Sequence, residues 1–354
     1  MKNQFESIFN KYRKDFSGVC LIKNSREIFL LKASGLANRD FDIPIDIDTR
    51  FDTASVTKIF TATAILVLVQ NYAFKLSDKI HDVIDLGGTS IPKDVTIEQL
   101  LTHTSGIADD ADEESGEDYS ALFADMPNYS IRNCIDFLPN FAYKTPYFKA
   151  GTNVRYNNCA FILLGLAIEK VSGMDYRSFV TEHIFKKAGM SESYFGAKDE
   201  ICKNTAEGYF AEKDEHGNII KWKKNVYSYP PIGTADGGAL TTVGDLDIFI
   251  RKLKDGRILS QEYADLLFKP HCIYMRERKF GNWHTGYAFE FVESQGEIFC
   301  MYKEGLNAGV NAIIAYYPAI DISLSILSNQ EECFWEMYHD ISEVLFEEFK
   351  RVRE

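Results

Sequence analysis

The sequence has few basic residues, and this shortage limits the partners that the protein can bind. Lys and Arg together number 39 against 52 Asp and Glu, which gives a formal net charge of -13. A protein that binds DNA or RNA needs a basic surface to neutralise phosphates, and a basic surface also attracts anionic membranes. The composition therefore predicts neither a nucleic-acid partner nor a membrane partner.

Long apolar segments are also missing. The longest, Ile59 to Val69, is interrupted by threonines and is too short to span a bilayer. Residues 1–16 mix charged and apolar side chains, and they lack the apolar core and small-residue cleavage site of a secretory signal. We therefore expect a cytoplasmic protein without a membrane-spanning helix.

Motifs that bind metals or cofactors are absent as well. The seven cysteines are scattered and include no C-x-x-C pair, so neither a disulfide framework nor a zinc site is predicted. The acidic segment 108–118 resembles a calcium loop, but its glycine falls one place late and no Glu closes the pattern. It is interpreted as a solvated loop or as the rim of a site. Since no glycine-rich phosphate motif is present either, we expect no cofactor and no metal.

The order of the predicted elements indicates the fold class. Strands are expected near both ends of the chain, as a hairpin around 24–26 and as four strands between 286 and 328. This order predicts an α+β fold in which both termini build one antiparallel sheet, 1–60 plus 235–354, and a mainly helical domain, 61–234, is inserted. Helices are expected at 2–14, 55–72, 96–101, 158–172, 176–187, 240–256 and 332–352.

The first candidate for chemistry is Ser55-Val-Thr-Lys58. A serine at the start of a helix, with a lysine three residues on, places both side chains on one face of the first turn. The helix N-terminus offers N–H groups to an oxyanion and disfavours an ammonium, and burial also favours a neutral amine that can accept a proton. This pattern is typical of a lysine-activated serine nucleophile. On its own it also fits a helix N-cap followed by a surface lysine.

A second motif, Tyr156-x-Asn158, makes the first one specific, because it leads directly into an apolar helix that stops at Gly173. This stretch resembles the Y-x-N motif of the serine β-lactamase and penicillin-binding-protein superfamily, closest to its class C β-lactamase, DD-peptidase and esterase branch. The resemblance runs from about residue 17 to the last strand. It implies a β-lactamase/transpeptidase-like fold with the active site at the domain junction. Two further segments resemble the family's LLTHTSGI loop and its G-G-L-x-S-T-x-x-D segment, 100–107 and 237–245.

The family's third motif, K-T-G or H-x-G on an inner strand, has two candidates. His284-Thr-Gly286 matches the motif better in its residue types. Lys303-Glu-Gly305 matches it better in position, because in the family this motif is followed by two more strands and a terminal helix. Residues 309–318 also resemble the family's G-F-S-S-x-L-x-Y-x-P continuation. Lys303 is therefore predicted to occupy the third motif, and His284 is interpreted as an ordinary loop residue.

The resemblance implies a role for each matching residue. Ser55 attacks the carbonyl carbon, Lys58 and Tyr156 together act as the base, and Tyr156 also protonates the leaving group and activates the deacylating water. Asn158 hydrogen-bonds the lysine and orients the acyl amide of the substrate. Lys303 adds positive charge that favours the tyrosinate and a neutral Lys58. The backbone N–H groups of Ser55 and Leu306 would form the oxyanion hole, and the predicted substrate-binding residues are Asn158, Lys303, Glu304, Gly305 and Leu306.

Glu304 departs from the family pattern. Members that recognise β-lactams usually carry Thr or Ser there, whose hydroxyl helps to bind the substrate carboxylate. A glutamate removes that donor and repels an anion if it points inward, although neighbours on a strand alternate faces and it could point away.

The glutamate at position 304 and the lack of an export signal together predict an esterase or amidase that acts on a small ester, amide or short peptide. The alternatives are a penicillin-binding DD-carboxypeptidase or class C-like β-lactamase, and a catalytically weak binding or scaffold protein on the same fold. The sequence does not indicate which oligomeric state the protein adopts.

Overall fold

A computed structural model describes residues 1–331 and 333–353, and for 273–278 it describes the backbone alone. Both ends of the chain contribute strands to one large sheet, and the segments between are mostly helical. The strands are β1 Gly18–Lys23, β2 Ile28–Ser34, β3 Leu36–Asn38, β4 Ile43–Pro44, β5 Phe51–Asp52, β6 Tyr209–Lys213, β7 Ile219–Lys224, β8 Leu240–Thr241, β9 Cys272–Arg278, β10 Gly281–Thr285, β11 Glu290–Ser294, β12 Glu297–Asn307, β13 Val310–Tyr317 and β14 Ile322–Ser328. The α-helices are α1 Lys2–Tyr12, α2 Lys58–Gln70, α3 Ile80–Val83, α4 Ile97–Leu101, α5 Leu122–Asp125, α6 Leu138–Phe141, α7 Asn158–Ser172, α8 Tyr176–Val180, α9 Val243–Lys254, α10 Gln261–Leu267 and α11 Trp335–Arg351.

The large sheet is built from both ends of the chain. In the ranges that the structure describes it has eight strands in the order β2-β1-β14-β13-β12-β11-β10-β9. Every neighbouring pair is antiparallel, and β1 lies against β14, with Gly18 opposite Ser328 and Lys23 opposite Ser323. The predicted α+β fold, with an antiparallel sheet flanked by helices, is confirmed. The proposed division at 60/61 and 234/235 stays a prediction.

Each face of the sheet is covered by helices. On one face, α1 and α11 bury side chains such as Phe5 and Leu345 against strand residues that include Ile313. The other face belongs to a larger core that also contains most of α2 and α7, with Ile65 and Leu164 fully buried. Because α2 is surrounded by protein on all sides, its sequence shows no polar face, as expected of a helix inside the core. The burial of such apolar side chains away from water is the main favourable contribution to the free energy of folding.

Helix α7 begins and ends where the sequence predicts, at 158 and 172. The side-chain oxygen of Asn157 accepts the backbone N–H of Ala160 at 2.6 Å, which caps the helix at its N-terminus. Gly173 follows with a φ of +69°, a left-handed conformation that glycine adopts without steric cost. The cap fixes the position of Asn158, which immediately follows it, and is worth about 1 kcal/mol.

The remaining differences from the sequence predictions are local. Residues 54–57 form a 3₁₀ turn before α2, and α8 continues as a π-helix over Thr181–Lys186 instead of a single α-helix. A hairpin, β6 with β7, lies within the segment predicted as mainly helical. His284 lies on β10, so its interpretation as a loop residue was wrong. In the described parts of the chain no helix is both long and apolar enough to cross a membrane.

Candidate active site at the start of helix α2

The predicted nucleophile lies on a sharp turn between a strand and a helix. Ser55 belongs to the 3₁₀ turn that connects β5 to α2. The residue before it, Ala54, has a φ of +42°, which is rare for a residue with a Cβ. The carboxylate of Asp52 accepts the N–H of Ala54 at 2.7 Å and so stabilises this conformation. The half-buried serine side chain is thereby presented to a cavity at the surface of the protein.

Lys58 is fully buried beside Ser55, with three oxygen atoms around its amine. Its Nζ lies 3.0 Å from Ser55 Oγ, 2.7 Å from Oδ1 of Asn158 and 2.6 Å from the carbonyl oxygen of Asp236. The oxygens of Asn158 and Asp236 can only accept hydrogen bonds here. A neutral amine would use its two N–H bonds for them and would direct its lone pair at the hydroxyl of Ser55.

The surroundings of Lys58 favour that neutral form. Burial, assisted by the positive charge of Lys303, lowers the pKa of the ammonium to about 8, although the carboxylates of Asp236, Glu113 and Asp109 oppose this change. Because removing an ion from water disfavours the charged form, a buried lysine becomes a base close to neutral pH. Lys58 is therefore suited to take the proton of Ser55.

Tyr156 completes the arrangement from the opposite side. Its hydroxyl donates to Ser55 Oγ at 2.7 Å, and its ring lies between two lysines, with Nζ of Lys58 5.1 Å and Nζ of Lys303 4.8 Å from the ring centroid. Burial raises the pKa of this phenol well above its usual value, and the carboxylate of Glu113 raises it further. The phenol therefore stays protonated, which suits a proton donor and not the tyrosinate that the family resemblance implied.

His103 supports Tyr156 from behind. The two rings pack against each other at a tilt of 37° with their centroids 4.8 Å apart, and Nδ1 of His103 accepts the backbone N–H of Asn157 at 3.2 Å. Burial lowers the pKa of this imidazole well below its usual value, and the charges of Lys303 and Lys58 lower it further. The neutral ring holds the tyrosine in place.

The structure brings Lys303 and Gly305 to the nucleophile and leaves His284 apart. Both residues lie on β12, which packs against the turn that holds Ser55. Lys303 is 2% exposed and its Nζ lies 3.2 Å from Oε1 of Glu290 on β11. His284 lies on β10, two strands away from β12, where its Nε2 is 3.4 Å from Glu293.

The backbone of β12 is in close contact with the nucleophile at Gly305. A Cβ at this position would collide with the carbonyl oxygen of Thr53 and would lie 2.9 Å from the backbone nitrogen of Ser55. Only glycine allows the two segments to approach so closely. This contact sets the distance between the Ser55 and Leu306 backbones, which are the two predicted sides of the oxyanion hole.

Glu304 lies on the opposite face of β12. It pairs across the strands with Ile313, which is buried beneath α1 and α11, whereas Lys303 pairs with Ile314 in the core on the side of α2. Partners directly opposite each other in an antiparallel pair point to the same face. The Glu304 side chain therefore points away from that of Lys303, and Glu304 is not among the residues that line the cavity beside Ser55. Leu306, which is half exposed, lines the cavity at the end of the strand.

Two acidic residues, Glu113 and Asp236, lie in the site but were not among the predicted site residues. Oε1 of Glu113 accepts a hydrogen bond from Nδ2 of Asn158 at 2.9 Å, and Asp236 supplies the carbonyl oxygen that holds Lys58. Glu113 belongs to the acidic segment 108–118, whose interpretation as the rim of a site agrees with this contact. The match of 237–245 to a family segment could have drawn attention to Asp236, its immediate neighbour.

The cavity beside Ser55 has a volume of about 400 Å³, enough for a small substrate. Its wall combines apolar groups with polar ones, among them Tyr229, Leu306, Asn158, Glu113 and Asp236.

A buried group of potential metal ligands lies behind the site. Oxygen atoms of Asp109 and Asp110 and the sulfur of Cys159 lie within 4.8 Å of one another. Both carboxylate oxygens of Asp109 already accept backbone N–H groups, those of Asn158 and Cys159, at 2.8 and 2.9 Å. A carboxylate at a helix N-terminus is stabilised by these donors. Asp109 therefore serves to anchor the start of α7.

The chain is similar to known proteins over nearly its whole length. A family model for beta-lactamases matches residues 5–339. The chain belongs to the beta-lactamase family. Penicillin-binding protein 4* of Bacillus subtilis is 25% identical over 343 residues, which cover 94% of this chain and 72% of that protein. The predicted membership of the β-lactamase and penicillin-binding-protein superfamily, a family of serine hydrolases, is thus confirmed.

Solved structures of the family have the same fold over nearly their whole length. A penicillin-binding protein from Bacillus halodurans superposes with a TM-score of 0.88 at 34% identity, covering 96% of this chain and 99% of that one. A D-amino acid amidase from Ochrobactrum anthropi superposes with a TM-score of 0.76 at 20% identity, covering 99% of both chains. At this lower identity the similarity shows the fold alone.

Proposed function

We propose that the protein is a serine hydrolase that cleaves a small ester or amide through an acyl-enzyme on Ser55. The arrangement of Lys58 carries the proposal: its amine is buried, its pKa is lowered to about 8, and its Nζ lies 3.0 Å from the nucleophilic oxygen. A nucleophile within hydrogen-bond distance of an oriented base is the signature of covalent catalysis.

The proposed reaction has two halves. In the first, Lys58 takes the proton of Ser55 while Oγ bonds to the substrate carbonyl carbon, and the bond to the leaving group then breaks as Tyr156 supplies its proton. In the second, a water molecule gives a proton to the deprotonated Tyr156 and attacks the acyl carbon, and the bond to Oγ of Ser55 breaks as Lys58 returns its proton to Oγ, which releases the acid and regenerates the enzyme. The N–H groups of Ser55 and Leu306 would stabilise the oxyanion in both halves.

Penicillin recognition is the second candidate, and the names of two relatives favour it. Both the Bacillus subtilis protein and the Bacillus halodurans structure are described as penicillin-binding proteins. Against it stands the pairing of Lys303 with Glu290, because a buried ion pair is a poor partner for the carboxylate of a β-lactam or of a C-terminal D-Ala. An esterase or amidase that needs no substrate carboxylate fits this pairing better.

A panel of acyl donors separates these functions. The protein and its Ser55→Ala variant are incubated with p-nitrophenyl acetate, a chromogenic cephalosporin and a fluorescent penicillin. We expect ester turnover that is lost in Ser55→Ala, with no stable penicillin label. Stable labelling of Ser55 would instead favour the penicillin-binding function. The absence of both turnover and labelling would leave a binding or scaffold role.

A further inference from the structure

Lys303, the cation of the third family motif, already forms an ion pair with the carboxylate of Glu290. Lys303 is buried with its Nζ 3.2 Å from Oε1 of Glu290, and Oε2 of the same carboxylate accepts hydrogen bonds from Trp283 at 2.9 Å and from Tyr302 at 3.0 Å. Glu290 is therefore held firmly in place, and its side chain is 16% exposed. A substrate anion would have to compete with this carboxylate for Lys303.

The two lysines that line the cavity, Lys224 and Lys198, are held by other protein groups as well. Lys224 lies 2.5 Å from a carboxylate oxygen of Asp40 and 2.7 Å from one of Glu207. Lys198 donates to the backbone carbonyl of Asn225 at 2.9 Å and to its side-chain oxygen at 3.1 Å, and burial lowers the pKa of its ammonium to about 7. Neither lysine offers a substrate a strong positive charge.

Two carboxylates next to the catalytic groups have no cation as a direct partner within the described residues. Glu113 accepts from the amide of Asn158 through Oε1 alone, and Asp236 accepts from the hydroxyl of Thr234 through Oδ1 alone. Both line the cavity that contains Ser55. The second oxygen of each carboxylate thus keeps its full capacity to accept hydrogen bonds.

We infer that the substrate carries a free ammonium group on its acyl part, as in an amino-acid ester, an amino-acid amide or the N-terminal residue of a short peptide, and that Glu113 and Asp236 bind this ammonium. The inference rests on the proposed hydrolase function. It makes the protein an aminoacyl hydrolase that recognises the amine end of its substrate and not a carboxylate end.

The geometry agrees with an amine on the acyl side of the scissile bond. Asn158 is the residue that the family resemblance assigns to the acyl amide, and Glu113 is hydrogen-bonded to it. A positively charged group bound there would lie close to two carboxylates in a partly desolvated cavity, where a charge-assisted hydrogen bond is stronger than at an open surface.

The test compares matched substrates with and without the charge. The methyl esters and p-nitroanilides of D- and L-alanine are measured beside their N-acetyl forms, and p-nitrophenyl acetate reports on the acyl chemistry alone. We expect kcat/KM for the better free-amine enantiomer to exceed that of its N-acetyl form by about tenfold or more, the effect of one charged hydrogen bond. Glu113→Gln and Asp236→Asn should each reduce that ratio several-fold.

Glu117→Gln is the matched control. It removes one negative charge from the same loop, at a residue that does not line the cavity, and it keeps an oxygen for the backbone N–H of Asp112, so the ratio should stay as in the wild type. Thermal unfolding of each variant shows whether it is folded. An N-acetyl ester cleaved as well as the free amine, with p-nitrophenyl acetate still turned over by Ser55, would overturn the ammonium site and leave the proposed hydrolase intact. If no substrate is turned over through Ser55, the hydrolase function fails and the ammonium site fails with it.

Discussion

The carboxylate of Asp52 holds Ala54 in a left-handed conformation one residue before the nucleophile. Oδ1 accepts the N–H of Ala54 at 2.7 Å, and Oδ2 accepts the hydroxyl of Tyr229 at 3.1 Å. Burial raises the pKa of this carboxyl group above its usual value. The direction of Ser55 therefore depends on a short buried hydrogen-bond network behind it.

Removal of this acceptor should misplace the nucleophile. We expect Asp52→Ala to lower kcat for p-nitrophenyl acetate by roughly ten- to hundredfold. The buried N–H of Ala54 would lose its acceptor, which destabilises the present conformation of the turn by about 1–3 kcal/mol. Asp52→Asn keeps the acceptor oxygen and should retain most of the activity. Equal rates for Asp52→Ala and the wild type would show that the turn needs no such support.

The pKa of Lys58 predicts how activity depends on pH. The amine accepts a proton only when neutral, so kcat/KM should rise about tenfold per pH unit below the pKa and level off above it, with a midpoint at about 8. A stopped-flow pH profile with an ester substrate measures this directly. A midpoint below pH 6, or no acidic limb at all, would contradict Lys58 as the base.

Tyr156→Phe should separate catalysis from stability. The variant removes the proton donor while it keeps the ring that packs against His103, and general-acid groups contribute about 10²- to 10⁴-fold to the rate. We expect kcat to fall by orders of magnitude with little change in melting temperature. Near-normal turnover would exclude Tyr156 from the mechanism.

Gly305→Ala tests the contact between β12 and the nucleophile turn. The added methyl group has no room beside Thr53 and Ser55, so the two segments must separate. A displacement of about 1 Å at reacting groups can cost about 10²-fold in rate, and we expect at least a tenfold loss in kcat. The matched change is Gly244→Ala in α9, because this glycine, like Gly305, lies outside the left-handed region, and an added methyl group there meets only Oγ1 of Thr242 at 3.6 Å.

The sequence allowed the candidate site residues to be selected because local signals and their order along the chain agree. Asn157 and Gly173 mark both ends of α7, and the number of strands after Lys303 distinguished it from His284. The neutralisation of Lys303 could not be predicted, because it depends on the pairing of β11 with β12 that places Glu290 beside it.

Contacts across loops escaped prediction for a similar reason. Glu113 and Asn158 are 45 residues apart and meet only when the acidic loop folds over the start of α7. The β6–β7 hairpin is rich in exposed charged residues such as Lys221 and Lys223, so its sequence lacks the alternation of a half-buried strand.

The pairing of β1 with β14 affects how the chain folds. Val19 on β1 and Leu327 on β14 lie opposite each other in the sheet although most of the chain separates them. Pairings of such long sequence separation form slowly, because the entropy of closing a large loop must be overcome first. During synthesis β14 emerges after the other described strands, so β1 and β2 wait beside an open edge until residues 322–328 have been made. Such edges are prone to aggregate, and the growing chain is expected to rely on chaperones over this interval.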